Sequence, residues 1–124
     1  MGWKLKVFEP SETDLEIQIC YFLERKLALS KRPYMIFATK PRGNFNSKTG
    51  VMQKHRNPYV RPGHPDVVLI LDGAFYGFEV KTSKGVQSDN QKAFERDLKK
   101  ANAHYYIVRS LQEVNEILKE ILPS

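Results

Sequence analysis

The stretch GHPDVVLILDGAFYGFEVK, residues 63–81, decides the fold. Two apolar runs, DVVLIL and AFYGFEVKT, flank Asp72-Gly73. Asp-Gly between such runs is the strongest short-range hairpin signal, because the favoured two-residue turn needs positive φ at both central positions. That turn pairs Leu71 with Ala74, and counting outward sets Asp66 opposite Glu79. Opposed residues share a face, with Cβ atoms roughly 4.5–5.5 Å apart. Lys81, two residues past Glu79, lies on that face too. Val68 and Gly77 are its next inward positions. A four-residue turn would set Asp66 opposite Lys81 and still hold the three groups on one face. A three-residue turn would bring a bulge and leave the facing open.

A polar trio therefore gathers at one end of an apolar hairpin. Two carboxylates this close repel, so the pair binds a proton or a cation. Hard oxygen ligands at such a separation suit Mg²⁺ or Mn²⁺. A lysine beside them would partly neutralise the pair, orient a water, or stabilise charge developing on a phosphate. The bland alternative is a salt bridge of Glu79 with Lys81 at the sheet's end.

Outward from the hairpin, residues 11–28 (SETDLEIQICYFLERKLA) read as a helix capped by Ser11. Glu12 and Asp14 complement its dipole, and Leu15, Ile19, Phe22 and Leu23 follow helical spacing. Pro33 cannot continue it. YMIFAT, 34–39, reads as a strand. Residues 40–65 form a long irregular stretch with four prolines and three glycines. A loop of that length in a compact domain is usually functional, and a nucleic-acid-contacting loop ordered by its ligand is expected. Residues 88–103 read as a helix capped by Ser88, 104–110 as a strand, and 111–122 as a closing amphipathic helix. The order is α-β-loop-β-β-α-β-α. Gln91 shares the apolar stripe of its helix with Phe94, Leu98 and Ala101, so its amide faces the sheet and needs partners.

A chain of 124 residues with one cysteine is expected to be a single domain with no internal disulfide. Cys20 reads as a small core residue. The longest apolar run is far short of the roughly 20 residues of a membrane span, and no signal-peptide pattern opens the chain. A cytoplasmic setting, in a bacterium or a phage-infected host, is expected. The net charge is +6 and the pI about 9.5. From Arg25 to Pro65 there are ten Lys and Arg and no acidic residue, leaving ten basic against fourteen acidic elsewhere. Such a block attracts polyanions, nucleic acid first among them. Lys40, Arg42, Lys48, Lys54, Arg56 and Arg61, interleaved with Phe45, Tyr59, Gly43 and Gly50, are the expected backbone contacts.

The set Gly63-x-Pro65-Asp66, Glu79-x-Lys81, Gln91 on the next helix and Val108-Arg109 at the end of the next strand resembles the VRR-NUC branch of the PD-(D/E)xK nuclease superfamily. SETDLEIQICYFL resembles that branch's first helix. The resemblance spans nearly all the chain except residues 40–62. It implies an α/β fold with a restriction-endonuclease-like core, a central mixed sheet flanked by helices in the order αβββαβ plus a C-terminal helix. It also implies a divalent-metal site in which Asp66 and Glu79 bind Mg²⁺ (Mn²⁺ in its place), with the Val80 carbonyl as a further ligand. Lys81 serves water or scissile phosphate, and Gln91 orients the reacting groups. Glu12 completes the site from the first helix, with Glu16 one turn along as the alternative. Small standalone, virus-type members of the family resemble homodimeric resolvases of branched DNA. The expected activity is therefore metal-dependent endonucleolytic hydrolysis of branched DNA such as four-way (Holliday) junctions. The alternatives are a nuclease on linear or single-stranded DNA and a silent nucleic-acid-binding module.

Other chemistry lacks its residues. RGNFNSKTG has Ser47 where a phosphate loop needs glycine before lysine. One Cys and the scattered His55, His64 and His104 do not make a zinc site, and no Ser-His-Asp arrangement can be argued.

Overall fold

A computed structural model of the chain describes residues 9–40 and 57–122. They run α1 (Glu12–Ser30), β1 (Tyr34–Ala38), β2 (Val67–Leu71), β3 (Ala74–Val80), α2 (Asp89–Lys100), β4 (His104–Val108) and α3 (Leu111–Ile121). The order is the one read from the sequence, with most element ends drawn in by one to three residues. Ser11, Ser88 and Ser110 cap the three helices, each hydroxyl accepting from the N–H three residues on. α1 ends at Lys31, whose φ of 60° breaks the helix just before Pro33.

The four strands form one mixed sheet in the order β1-β2-β3-β4. β1, β2 and β3 are antiparallel neighbours, and β4 runs parallel to β3 after the α2 crossover. Leu71 pairs with Ala74, and the ladder continues without a slip to Val67 opposite Phe78. The turn is the two-residue one: Asp72 has φ 50° and Gly73 φ 82°, the doubly positive geometry that matches the strand twist.

Alternation along the strands sorts the two faces. Val67, Leu69, Leu71, Phe78, Val80 and Val108 pack in one cluster against Leu15, Ile19, Leu23 and Leu27 of α1 and Val114 and Leu118 of α3. Burying each such side chain contributes about 1.5–3 kcal/mol. A one-residue slip would turn the whole strand set away from the helices, so this layer also locks the register. The opposite face carries Val68, Gly77, Glu79 and Tyr105, all buried, with α2 lying beside β4.

Cys20 departs from the expectation of a core residue. It is half-buried at the core margin, beside a shallow groove with Ile36 and Phe37. Its helix position is one residue off the buried stripe of Leu15, Ile19 and Leu23, so the thiol points to the flank. Burial and the Glu16 charge raise its pKa. Among the described residues no helix is long and apolar enough to cross a membrane.

Candidate functional site

The hairpin's open end departs from a regular ladder at Pro65-Asp66. Pro65 has no N–H to give, and its carbonyl accepts from the Thr39 hydroxyl at 2.7 Å. The Asp66 N–H bonds the Phe78 carbonyl at 3.0 Å, although Val67 is already the partner of Phe78. That bulge-like bond shortens the reach of the strand. The Asp66 carboxylate then accepts from the Val80 N–H at 2.8 Å, in place of a ladder carbonyl. The carboxylate is thereby pinned at the end of β3, next to Glu79.

Glu79 lies in the fully buried end of β3, with 1% of its surface exposed. A buried carboxylate is costly unless partnered. Its Oε1 accepts from the Gln91 amide nitrogen and lies 3.9 Å from Lys81 Nζ. Its Oε2 is buried with no hydrogen-bond partner among the described residues. Burial first, then the Asp66 charge and a hydrogen bond that only protonated Glu79 can share with it, push its pKa up to about 8. Lys81 opposes that shift, and the Glu12 charge adds to it.

Gln91 is oriented by its own helix. Its carbonyl oxygen accepts the Ser88 N–H at 2.8 Å, and its N–H bonds the Ser88 hydroxyl at 3.2 Å, a complete capping box. With the oxygen held there, the amide NH₂ turns to Glu79. The partner is thus the carboxylate itself. α2 is brought in by Gly63, whose φ is +93° and whose missing Cβ would stand 2.4 Å from the Asn90 carbonyl oxygen and 2.9 Å from the Gln91 nitrogen. Gly63→Ala is expected to cost about 3 kcal/mol or more, because the obstacle is backbone and the φ is strained for any other residue. Chemical denaturation checks it. Gly77 serves similarly: the fully buried Pro65 lies over it, 2.6 Å from where a Cβ would be.

The two first-helix glutamates take different places. Glu12 Oε1 and the Lys81 side chain both border Gly85, at 3.5 Å and 3.2 Å from the position of a Cβ there. Glu16 is buried and forms an ion pair with Lys40, Nζ to Oε1 2.7 Å. Burial raises Glu16, with the Asp66 and Glu12 charges adding and Lys40 opposing. The four carboxylates therefore share one electrostatic neighbourhood, in which Glu12, of the two first-helix glutamates, is the one on the Lys81–Gly85 side. Arg109, the arginine after β4, fixes the adjacent loop by donating to the carbonyls of Thr82 (2.6 Å) and Gly85 (2.8 Å). Sequence reasoning noted Arg109 without assigning this work, since nothing local shows which loop an arginine will reach.

Among the described residues, no three His, Cys, Asp or Glu side chains are grouped so as to hold a metal ion. The donors that do converge are Asp66 and Glu79, with an orphaned Glu79 oxygen between protonation and cation binding. One or two carboxylates, with waters and substrate phosphates filling the remaining positions, is the donor set Mg²⁺ ordinarily takes. The residues fit that ion. The Val80 N–H is committed to Asp66, and its side chain is in the core.

Of the expected DNA contacts, Arg42, Lys48, Lys54 and Arg56 lie outside the described residues, as does most of the loop assigned to them. Lys40 is engaged with Glu16. Arg61 pairs with Asp97 at 2.8 Å and lies over the Phe94 ring, 4.9 Å from its centroid. In comparisons with protein-family models, curated proteins and solved structures, nothing matches the chain.

Proposed function

We propose that this protein is a divalent-metal-dependent endodeoxyribonuclease of the VRR-NUC type, acting on branched DNA. The observation that carries the reading is Glu79: a buried carboxylate with one oxygen orphaned, a second carboxylate at its side, and Lys81 and Gln91 directed at its other oxygen. A salt bridge at a sheet's end does not need a second carboxylate or a clamped amide. The motif set Gly63-x-Pro65-Asp66, Glu79-x-Lys81 and Gln91 adds support, since each member has a distinct place around the C-terminal end of the interior strand β3.

In this reading Asp66 and Glu79 would hold Mg²⁺ or Mn²⁺, with the Val80 carbonyl as a further ligand and Glu12 as the nearby first-helix carboxylate rather than a third grouped ligand. The bound ion supplies Lewis acidity toward a phosphate oxygen and acidifies a water. The rest falls to the chain. Gln91 holds Glu79 in one orientation, and Lys81 presents its ammonium to the scissile phosphate or to the attacking water. Arg109 keeps the Thr82–Gly85 loop, and with it the Lys81 stem, in position. The basic block supplies backbone affinity without base preference, so selectivity rests on DNA shape. A two-fold homodimer would present two such sites to the paired strands of a junction. The alternative read from the sequence is a binding-only module on the same fold.

Labelled linear, flap and four-way-junction DNA, incubated with the protein in Mg²⁺, Mn²⁺ or chelator, separates these readings. Metal-dependent scission favouring the junction or flap is expected. Cutting in chelator overturns the mechanism, cutting of linear duplex alone overturns the junction preference, and binding without cutting selects the silent module.

A further inference from the structure

We infer that the outer face of α2 is a second phosphate-binding surface, along which a DNA duplex leaves the candidate active site. Lys92, Arg96 and Lys100 are exposed and recur at a four-residue spacing, so they form one stripe along the helix. Together with Glu95 and Lys99 they border one shallow depression. Of the three acidic residues of α2, Asp89 stands exposed in the first turn and the other two are already engaged. Asp97 is taken by Arg61, and Glu95 by Lys99 at 3.0 Å and by Gln87 at 3.2 Å. None of the three cations has a carboxylate partner among the described residues.

The stripe also starts in the right place. Lys92 directly follows Gln91, the residue that touches Glu79. From Lys92 to Lys100 the helix rises about 12 Å, the axial length of about three to four nucleotides of one strand. Basic residues at helical spacing are most often just a solvated face. Here the start of the stripe next to Gln91 and the engagement of Glu95 and Asp97 distinguish this one. The two described cations assigned to DNA from the sequence, Lys40 and Arg61, are held in ion pairs, so the contact surface near the site shifts to α2. The inference rests on the nuclease reading for its choice of DNA as partner.

The test measures binding of a labelled four-way junction and a linear duplex by the full chain in chelator, across a salt series, so cleavage plays no part. K92Q/R96Q/K100Q preserves helix propensity, and helix content by circular dichroism confirms the fold. The control Q112E/K119E lowers the net charge by the same three units at exposed positions of α3, outside the basic block and the site. The α2 variant is expected to bind on the order of 10²-fold more weakly at ~0.1 M salt and to flatten the log–log salt slope by about 2 to 3. The control is expected to change neither by more than a small factor. Equal losses in both variants, or an unchanged slope in the α2 variant, overturn the surface. If wild type cuts DNA while the α2 variant keeps its slope, only the surface falls. If the slope flattens as expected but wild type never cuts, the surface stands and the nuclease reading falls.

Discussion

Replacing Lys81 by alanine is expected to lower metal-dependent DNA cleavage by about 10²- to 10³-fold while leaving binding in chelator within a small factor of wild type. The separation follows from where the residue sits. Its Nζ is 3.9 Å from Glu79 Oε1, and only 12% of its side chain is exposed, so it adds little to the open phosphate-binding surface. Its charge acts where a phosphate would meet the two carboxylates. Lys81 is also the nearby cation that opposes protonation of Glu79, so its loss should move the rising limb of the pH–rate profile to higher pH. Single-turnover cleavage over pH 6 to 9, beside a binding isotherm, reads both effects. A Lys81→Ala protein cutting at the wild-type rate would remove Lys81 from the mechanism.

Without divalent metal the protein should become less stable as pH rises through neutrality, and Mg²⁺ should reverse the loss. Glu79 is pushed up to about 8 in the folded state, from an ordinary value of 4.5. Between those values the folded state holds a proton that the unfolded chain has released. Stability is then fully present below about 4.5 and is lost as pH rises toward about 8. Glu16, also raised by burial, acts in the same direction. Glu9 and Asp97 are lowered, by Ser83 and Arg61 respectively, and act oppositely, but only as pH falls through the carboxylate range. The window from mildly acidic to pH 8 therefore belongs to Glu79 and Glu16. An ion held by Asp66 and Glu79 binds the ionised folded state and stabilises it by mass action, so the midpoint at pH 8 should climb with Mg²⁺ concentration. Glu79→Gln should flatten the pH dependence and abolish the Mg²⁺ response together. Denaturation midpoints at pH 5 and 8, with and without metal, check this. A pH-independent midpoint that ignores Mg²⁺ would count against both the buried charge and the ion.

Much of this was legible in the sequence because it is local. Asp72-Gly73 dictates a turn with two positive φ values, and a two-residue turn leaves one register. The period of two along the strands then brings Asp66, Glu79 and Lys81 to one end, although Asp66 does not sit opposite Glu79 in the ladder. The regular pairing stops at Val67 and Phe78, and bonds to the Phe78 carbonyl and the Val80 N–H fix the place of Asp66. Serine caps and apolar spacing likewise place all seven elements, since each depends on residues within a turn or two. Cys20 was misplaced because one residue on a helix is a rotation of about 100°, and apolar spacing alone does not say where the buried stripe ends.

Tertiary structure decided what depends on packing between distant segments. The sequence left Glu12 and Glu16 as alternatives. Docking of α1 on the sheet sets Glu12 on the Lys81–Gly85 side and buries Glu16 against Lys40. Gln91 was expected to face the sheet, but its hold on Glu79 requires the capping box to fix its oxygen and Gly63 to admit the helix backbone. Lys40 and Arg61 looked like free cations in an acid-free block. Their partners Glu16 and Asp97 lie 24 and 36 residues away along the chain, and only the folded sheet brings them within reach. Hairpin register is settled by neighbours in sequence. Which charges stay free for a ligand is settled by neighbours in space.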